Sequence, residues 1–214
     1  MQKKIVILGA GGFGRETSLL VEEINRVNLA VKWRLLGYVD EDRSKCGLNM
    51  RGYNVIGGLD VLTSLPLSTE VICAVAKTKD KQRFVEQSNM MENRFATLVH
   101  PEVRLTNDVL IGKGTIVNEG AIFTTNIRIG KHVSINPGCG IGHDSIIGDY
   151  STLMWRVNIS GNVTIGEGCL IGTGATILQG VKVGNWTTVG AGAVVTRDLP
   201  AGCTAVGIPA RIGQ

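Results

Sequence analysis

Three histidines, His100, His132 and His143, carry the side chains of this chain whose ordinary pKa lies near neutrality, so a general base is sought among them first. His143 is followed by Asp144, and its turn is bracketed by Gly138, Gly140, Gly142 and Gly148. A second chemistry-bearing stretch is Gly9-Ala10-Gly11-Gly12-Phe13-Gly14, which fits the spacing GxGxxG. Glycines there let backbone approach a phosphate, and a helix beginning behind them offers N–H donors and a positive dipole. Asp40 stands at the end of the next predicted strand, where a carboxylate accepts hydrogen bonds from a base or ribose. The five cysteines are odd in number, widely spaced and contain no CxxC pair. Packing roles and a reducing cytoplasm follow from them, and no metal site is expected.

The elements that position these residues are of two kinds. Lys4–Leu8 reads as a buried strand, followed by the glycine turn and a helix from about Arg15 to Val27. Strands are predicted near Trp33–Val39 and over Glu70–Ala76, with a second helix from about Lys79 to Met91 and a join over 92–98. That is a small parallel α/β, Rossmann-like domain over 1–97. It is too short for both halves of a dinucleotide fold, which leaves one nucleotide diphosphate at the turn, or a tight turn with no ligand.

From Leu105 to Val195 every sixth residue is apolar, without a slip, and Val99 extends the series backward. A small or β-branched residue follows four positions after each, as at Thr115, Ala121, Cys139 and Cys169. Neither helix nor flat strand has period six, so residues 98–214 form a stacked solenoid of strands and turns. Inward aliphatics are each worth about 1.5–3 kcal/mol, and Gly or Asn directly after them, as in Ile111-Gly112 and Ile141-Gly142, suits the turns. On this hexad register His100 falls at the domain junction and His132 in an ordinary solvated turn. His143 lies between Thr125 and Gly161 of neighbouring coils, with Asn136 seven residues earlier.

A net charge of +4 with no basic cluster suits anionic ligands and excludes a nucleic-acid reading. No apolar run is long enough for a membrane span, and Ile5–Ala10 is too short for a signal peptide.

The hexads, over about residues 97–214, resemble the hexapeptide-repeat acyltransferases, whose fold is a left-handed parallel β-helix with three hexads per coil. A small α/β domain ahead of them resembles the bacterial nucleotide-sugar N-acetyltransferases that acetylate an amino sugar, and their sialic-acid O-acetyltransferase relatives. The resemblance implies acetyl-CoA as donor, a nucleotide-linked amino sugar as acceptor, a homotrimer and a place in surface glycan synthesis. It implies that Gly9, Gly11, Gly12, Phe13 and Gly14 hold the nucleotide diphosphate, with Asp40 reading the nucleotide; Phe13 stands where several members have His. Asn136-x6-His143-Asp144 is similar to the family's active-site motif. His143 is then the base, Asp144 orients its ring, Asn136 positions substrate or ring, and the Gly161 amide receives the thioester carbonyl. Gly207-Ile208-Pro209-Ala210-Arg211 resembles the family's tail, which places coenzyme A near Gly161, Gly172, Gly190, Ala191, Pro209 and Arg211. The alternatives are O-acetylation of a sugar hydroxyl and a silent, nucleotide-sensing scaffold. UDP, dTDP and GDP carriers are not distinguished by the sequence.

Overall fold

The computed structural model of the chain describes residues 2–27, 32–88, 90 and 94–213. The N-terminal unit is organised by strand β1 (Gln2–Leu8), whose side chains alternate: Ile5 and Ile7 face one side, Val6 and Leu8 the other, and all four are fully buried. A strand buried on both faces needs cover on both. Helix α1 (Gly12–Val27) supplies Leu20 and Val21 to the first side, and helix α2 (Thr78–Gln87) supplies Phe84 and Val85 to the second. Strands β2 (Lys32–Val39) and β5 (Glu70–Cys73) flank β1 in parallel.

The sequence pattern does not show two further strands. β3 (Asn49–Met50) and β4 (Tyr53–Gly57) form a hairpin through Arg51 and Gly52, both at positive φ, and give the sheet order β3-β4-β2-β1-β5. β3 is a two-residue edge strand, and β4, although it lies inside the sheet with Val55 buried, is only five residues long and ends in glycine, so neither shows in the periodicity. Both helices begin earlier than their sequence pattern suggests. The second helix ends at Gln87, short of the expected Met91, and the first residues of the join lie outside the described residues.

The solenoid has three parallel faces. Strands pair with those eighteen residues away, for example Gly140 with Asn158 and Ile141 with Ile159. Two faces carry five strands each, and the third carries eight, running from Leu98–Val99 to a closing antiparallel strand at Arg211–Ile212. The inward series is buried, with Ile135, Leu153, Ile171 and Val189 at 0% exposure, and the corner residues Thr115, Val133, Cys139 and Cys169 are equally closed. Burial pushes the Cys139 thiol up to about 11, consistent with a packing role.

Three expectations need correction. Leu105 is 40% exposed and lies outside any strand, because the chain between Val99 and Val109 does not complete a coil beneath it. The residues at positive φ are not those directly after the inward aliphatics. They recur every sixth position from Gly114 to Gly192, three residues after each aliphatic, and include Asn126, His132, Asp144, Asn162 and Trp186. Gly112 and Gly142 serve stacking instead: a Cβ at Gly112 would stand 2.5 Å from the Gly130 carbonyl carbon. His132 is not a solvated turn residue. It is buried, its ring stacked on Tyr150 at 5.2 Å and edge-on to Phe95 at 4.6 Å.

The two units share a core, since Leu98 and Ile116 of the first coil join the cluster under α1. His100 belongs to that junction, as expected: its Nε2 lies 3.4 Å from Glu23 of α1. Among the described residues no helix is long and apolar enough to cross a membrane.

Candidate functional site

The glycine turn sits at the carboxyl end of β1, between α1 and the end of β5. That is the crevice where the sheet order reverses and where open α/β sheets bind ligands. Gly9 has φ of 103°, and its N–H donates to the Val39 carbonyl at 2.7 Å. A Cβ on Gly14 would stand 2.1 Å from the Gly9 oxygen, so only glycine closes the turn there. Gly11 and Gly12 have open space where their side chains would be, and α1 carries no acidic residue in its first turn. The result is an open cradle of backbone N–H groups at a helix N-terminus, shaped for an anion.

Asp40 braces this cradle. Its Oδ2 accepts from Ala10 N at 2.8 Å, its Oδ1 from Asp42 N at 3.0 Å, and Lys45 Nζ reaches both oxygens at 3.0 and 3.1 Å. The carboxylate is thus engaged within the chain rather than open to a base or ribose. Phe13 is half-buried and packs on the core cluster beneath α1, so its side chain belongs to the fold.

The second constellation lies on the solenoid. His143 and Asp144 follow the strand Gly140–Ile141 at a corner, and both side chains are half exposed. Asp144 adopts φ of 61°, which turns its carboxylate back toward its neighbour, and Oδ2 lies 2.7 Å from His143 Nδ1. Asn126, one coil below, donates to the other oxygen at 2.7 Å. These bonds, that of His143 first, hold the Asp144 carboxyl below its usual range. With Nδ1 so engaged, Nε2 is left to take a proton. It lies against Gly161 of the next coil, where a Cβ would be 2.4 Å away. Among the described residues no acceptor takes the Gly161 N–H, which leaves a backbone donor beside the imidazole.

Asn126 and Asp108 join this site without having stood out in the sequence. Asp108 accepts from the hydroxyls of Thr106 and Thr125 and from Asn126 N at 2.9 Å, and these bonds, that of Thr106 first, lower its carboxyl to about 2. The signal is present all the same: subtracting the eighteen-residue register from Asp144 gives Asn126, and again gives Asp108.

The structure does not join Asn136 to His143. Asn136 is buried, and its amide donates to the Leu153 carbonyl at 2.9 Å, as Asn118 does to Ile135 one coil below. Gly172, Gly190 and Ala191 follow strands of the eight-stranded face and so line a different prism edge from His143 and Gly161. Gly172 permits close stacking, a Cβ there standing 2.5 Å from Ala191 N. Pro209 and Arg211 are exposed beyond the last full coil, beside the exposed Val206 and Ile208. Among the described residues no group of three metal-ligating side chains gathers.

Known proteins share both units. Residues 156–197 match the family model for the bacterial transferase hexapeptide (six repeats), and residues 4–88 that for the PglD N-terminal domain. A GDP-perosamine N-acetyltransferase of Escherichia coli O157:H7 is 32% identical over 146 residues, 68% of this chain; the match spans 65% of that protein's length. WeeI from Acinetobacter baumannii AYE is 30% identical with a TM-score of 0.86, covering all of both chains. The acetyltransferase domain of PglB from Neisseria gonorrhoeae, solved with acetyl coenzyme A, is 27% identical with a TM-score of 0.86, again over both whole chains.

Proposed function

Because the chain belongs to the hexapeptide-repeat transferases that carry a PglD-type N-terminal domain, we propose that it transfers acetyl from acetyl-CoA to the amine of a nucleotide-linked amino sugar. Residues 1–97 form the nucleotide-sugar-binding domain and residues 98–214 the acetyltransferase domain, working in the cytoplasm on a precursor of bacterial surface glycans. The observation that carries this reading is the His143–Asp144 pair set against the free Gly161 amide, in a chain that also holds an anion cradle.

The amine nitrogen attacks the thioester carbonyl as Nε2 of His143 takes its proton. The carbonyl oxygen gathers charge, which the Gly161 N–H receives. Collapse forms the amide, breaks the carbon–sulfur bond and returns the proton to the departing sulfur. Asp144 stabilises the imidazolium and, with Asn126 beneath it, fixes the ring. The glycine cradle holds the diphosphate, and Asp40 keeps the cradle in shape.

The working unit in this reading is a homotrimer. His143 and Gly161 lie on one edge of the prism and Gly172, Gly190 and Ala191 on another, so coenzyme A reaches both sets where edges of adjacent chains meet. Exposed Leu110, Ile122 and Ile146 on the outer faces are apolar surface for such packing. The test is thiol release from acetyl-CoA with a panel of UDP-, dTDP- and GDP-amino sugars, alongside light scattering. Release with one amino-sugar carrier and a threefold mass supports the reading. No release with any of them, or a fully active monomer, contradicts it.

A further inference from the structure

Lys81 lies on α2 and is fully buried, yet among the described residues no carboxylate faces it. Its Nζ stands 2.9 Å from Ser134 Oγ, 2.8 Å from Thr152 Oγ1, 3.3 Å from the Ser151 carbonyl and 3.4 Å from the Tyr150 carbonyl. All four acceptors belong to the solenoid. Thr152 Oγ1 in turn donates to the Ala76 carbonyl at 2.9 Å, just ahead of α2. A buried amine with only neutral partners is a costly contact for a fold to keep where an apolar side chain would pack. Burial draws its pKa down to about 7. What it gains is direction: hydrogen bonds fix position where apolar contacts allow sliding.

The coils it lands on are those of the candidate chemistry. Ser134 lies nine residues before His143 on one coil, and Thr152 nine residues before Gly161 on the next. At the other end, α2 continues the segment Ala74–Lys77 from β5. Ala74 N donates to Leu8 O at 2.8 Å, and the Ala74 oxygen abuts Gly9 of the cradle. One short path therefore runs from the cradle through Ala74–Ala76 and Lys81 to the coils that carry His143 and Gly161.

We propose that Lys81 is a positioning residue that pins the nucleotide-binding domain to these two coils and so sets where the sugar amine stands relative to the base. This rests on the function proposed above. In a threefold assembly the same pin, repeated, fixes every cradle against every base.

The test is Lys81→Met, which keeps the length and removes the donors. Hydrogen exchange is followed at the amides of 74–87, with those of 164–171 as a folding control. Exchange at 74–87 should rise at least tenfold while the control stays protected. In steady state, kcat/KM for the sugar nucleotide should fall tenfold or more, with the KM for acetyl-CoA within twofold of wild type. Unchanged exchange overturns the pin, whatever happens to rate. Raised exchange with unchanged kcat/KM, or both KM values rising together, overturns the positioning role. If Lys81→Met does not fold, Ser134→Val removes a partner from the other side and is read in the same way. If the wild type acetylates no amino-sugar carrier, the functional reading fails by that result, and exchange at 74–87 still decides the pin.

Discussion

Replacing Gly161 with alanine perturbs the base without altering any group that does chemistry. The added Cβ would stand 2.4 Å from His143 Nε2 and 2.6 Å from Cε1. An ordinary contact between such atoms is about 3.5 Å, so the ring must retreat by roughly 1 Å. It cannot do so freely, because Nδ1 is tied to Asp144 at 2.7 Å and Asp144 to Asn126 at 2.7 Å. Misplacing a reacting group by about 1 Å costs on the order of 10²-fold in rate, and losing a general base outright costs about 10²–10⁴-fold. A fall in kcat of about 10²-fold is therefore expected. The backbone N–H survives the change, so the loss reports on the ring rather than on the oxyanion donor. Gly161 is not among the residues at positive φ, and Tm should move by only a few degrees. The assay is thiol release at saturating acetyl-CoA and sugar nucleotide, with His143→Ala as the floor. The double variant should be no slower than His143→Ala alone, because both changes act through one imidazole. A Gly161→Ala enzyme within threefold of wild type, or losses that multiply in the double variant, refutes this placement of the base.

Other outcomes follow from the same geometry. Saturated turnover of His143→Ala should fall about 10²–10⁴-fold, and of Asp144→Asn by less, since an acceptor for Nδ1 remains; equal losses would contradict an orienting role. Asp40→Ala removes the acceptor of the Ala10 N–H, a charge-assisted bond worth about 1.5–3 kcal/mol. It should raise the KM for the sugar nucleotide at least tenfold and leave that for acetyl-CoA within twofold. Ile141→Asp buries an unpaired charge at a 2% exposed site and should abolish cooperative melting of the native coils, whereas Lys113→Ala on an exposed turn should be near neutral in thermal denaturation. Lys81 has its pKa lowered from 10.5 to about 7 by burial, so between those values the unfolded chain binds a proton that the folded chain does not. Stability should rise with pH in that window by about 1.4 kcal/mol per unit from this group. The neighbouring Cys73 thiol, raised from 9.0 to about 12 by burial, stays neutral in the folded chain and opposes this slope only above its unfolded value. Denaturant midpoints of Lys81→Met between pH 7 and 9 should lack this part of the slope.

The hexad period determined the solenoid because one inward residue in six must be buried at each level, and stacking in a fixed register leaves no freedom in where the others point. From that register alone His143 falls between Thr125 and Gly161, and the N–H of Asp144 does meet the Thr125 carbonyl one coil below. The strand that runs into glycines likewise announced the cradle, since few other local structures need Gly9 and Gly14 together. The register also contained Asn126 and Asp108, which support the base from one and two coils below; only the stacked coils bring them forward, because a polar column eighteen residues apart has no signal in local pattern. The rest was decided by tertiary contact. His132 sits at a corner position that is solvated elsewhere on the prism, but here Phe95 and Tyr150 cover it at the domain junction. Asn136 follows an inward isoleucine and reads as a site residue, yet the carbonyl of the coil above takes its amide. Asp40 ends a strand where ligands are read, yet Lys45 and the turn amides reach it first. Lys81 looks like one more exposed lysine on a polar helix. Its burial arises only when α2 is laid against the solenoid, and no property of a single segment encodes which face of one domain will meet which face of the other.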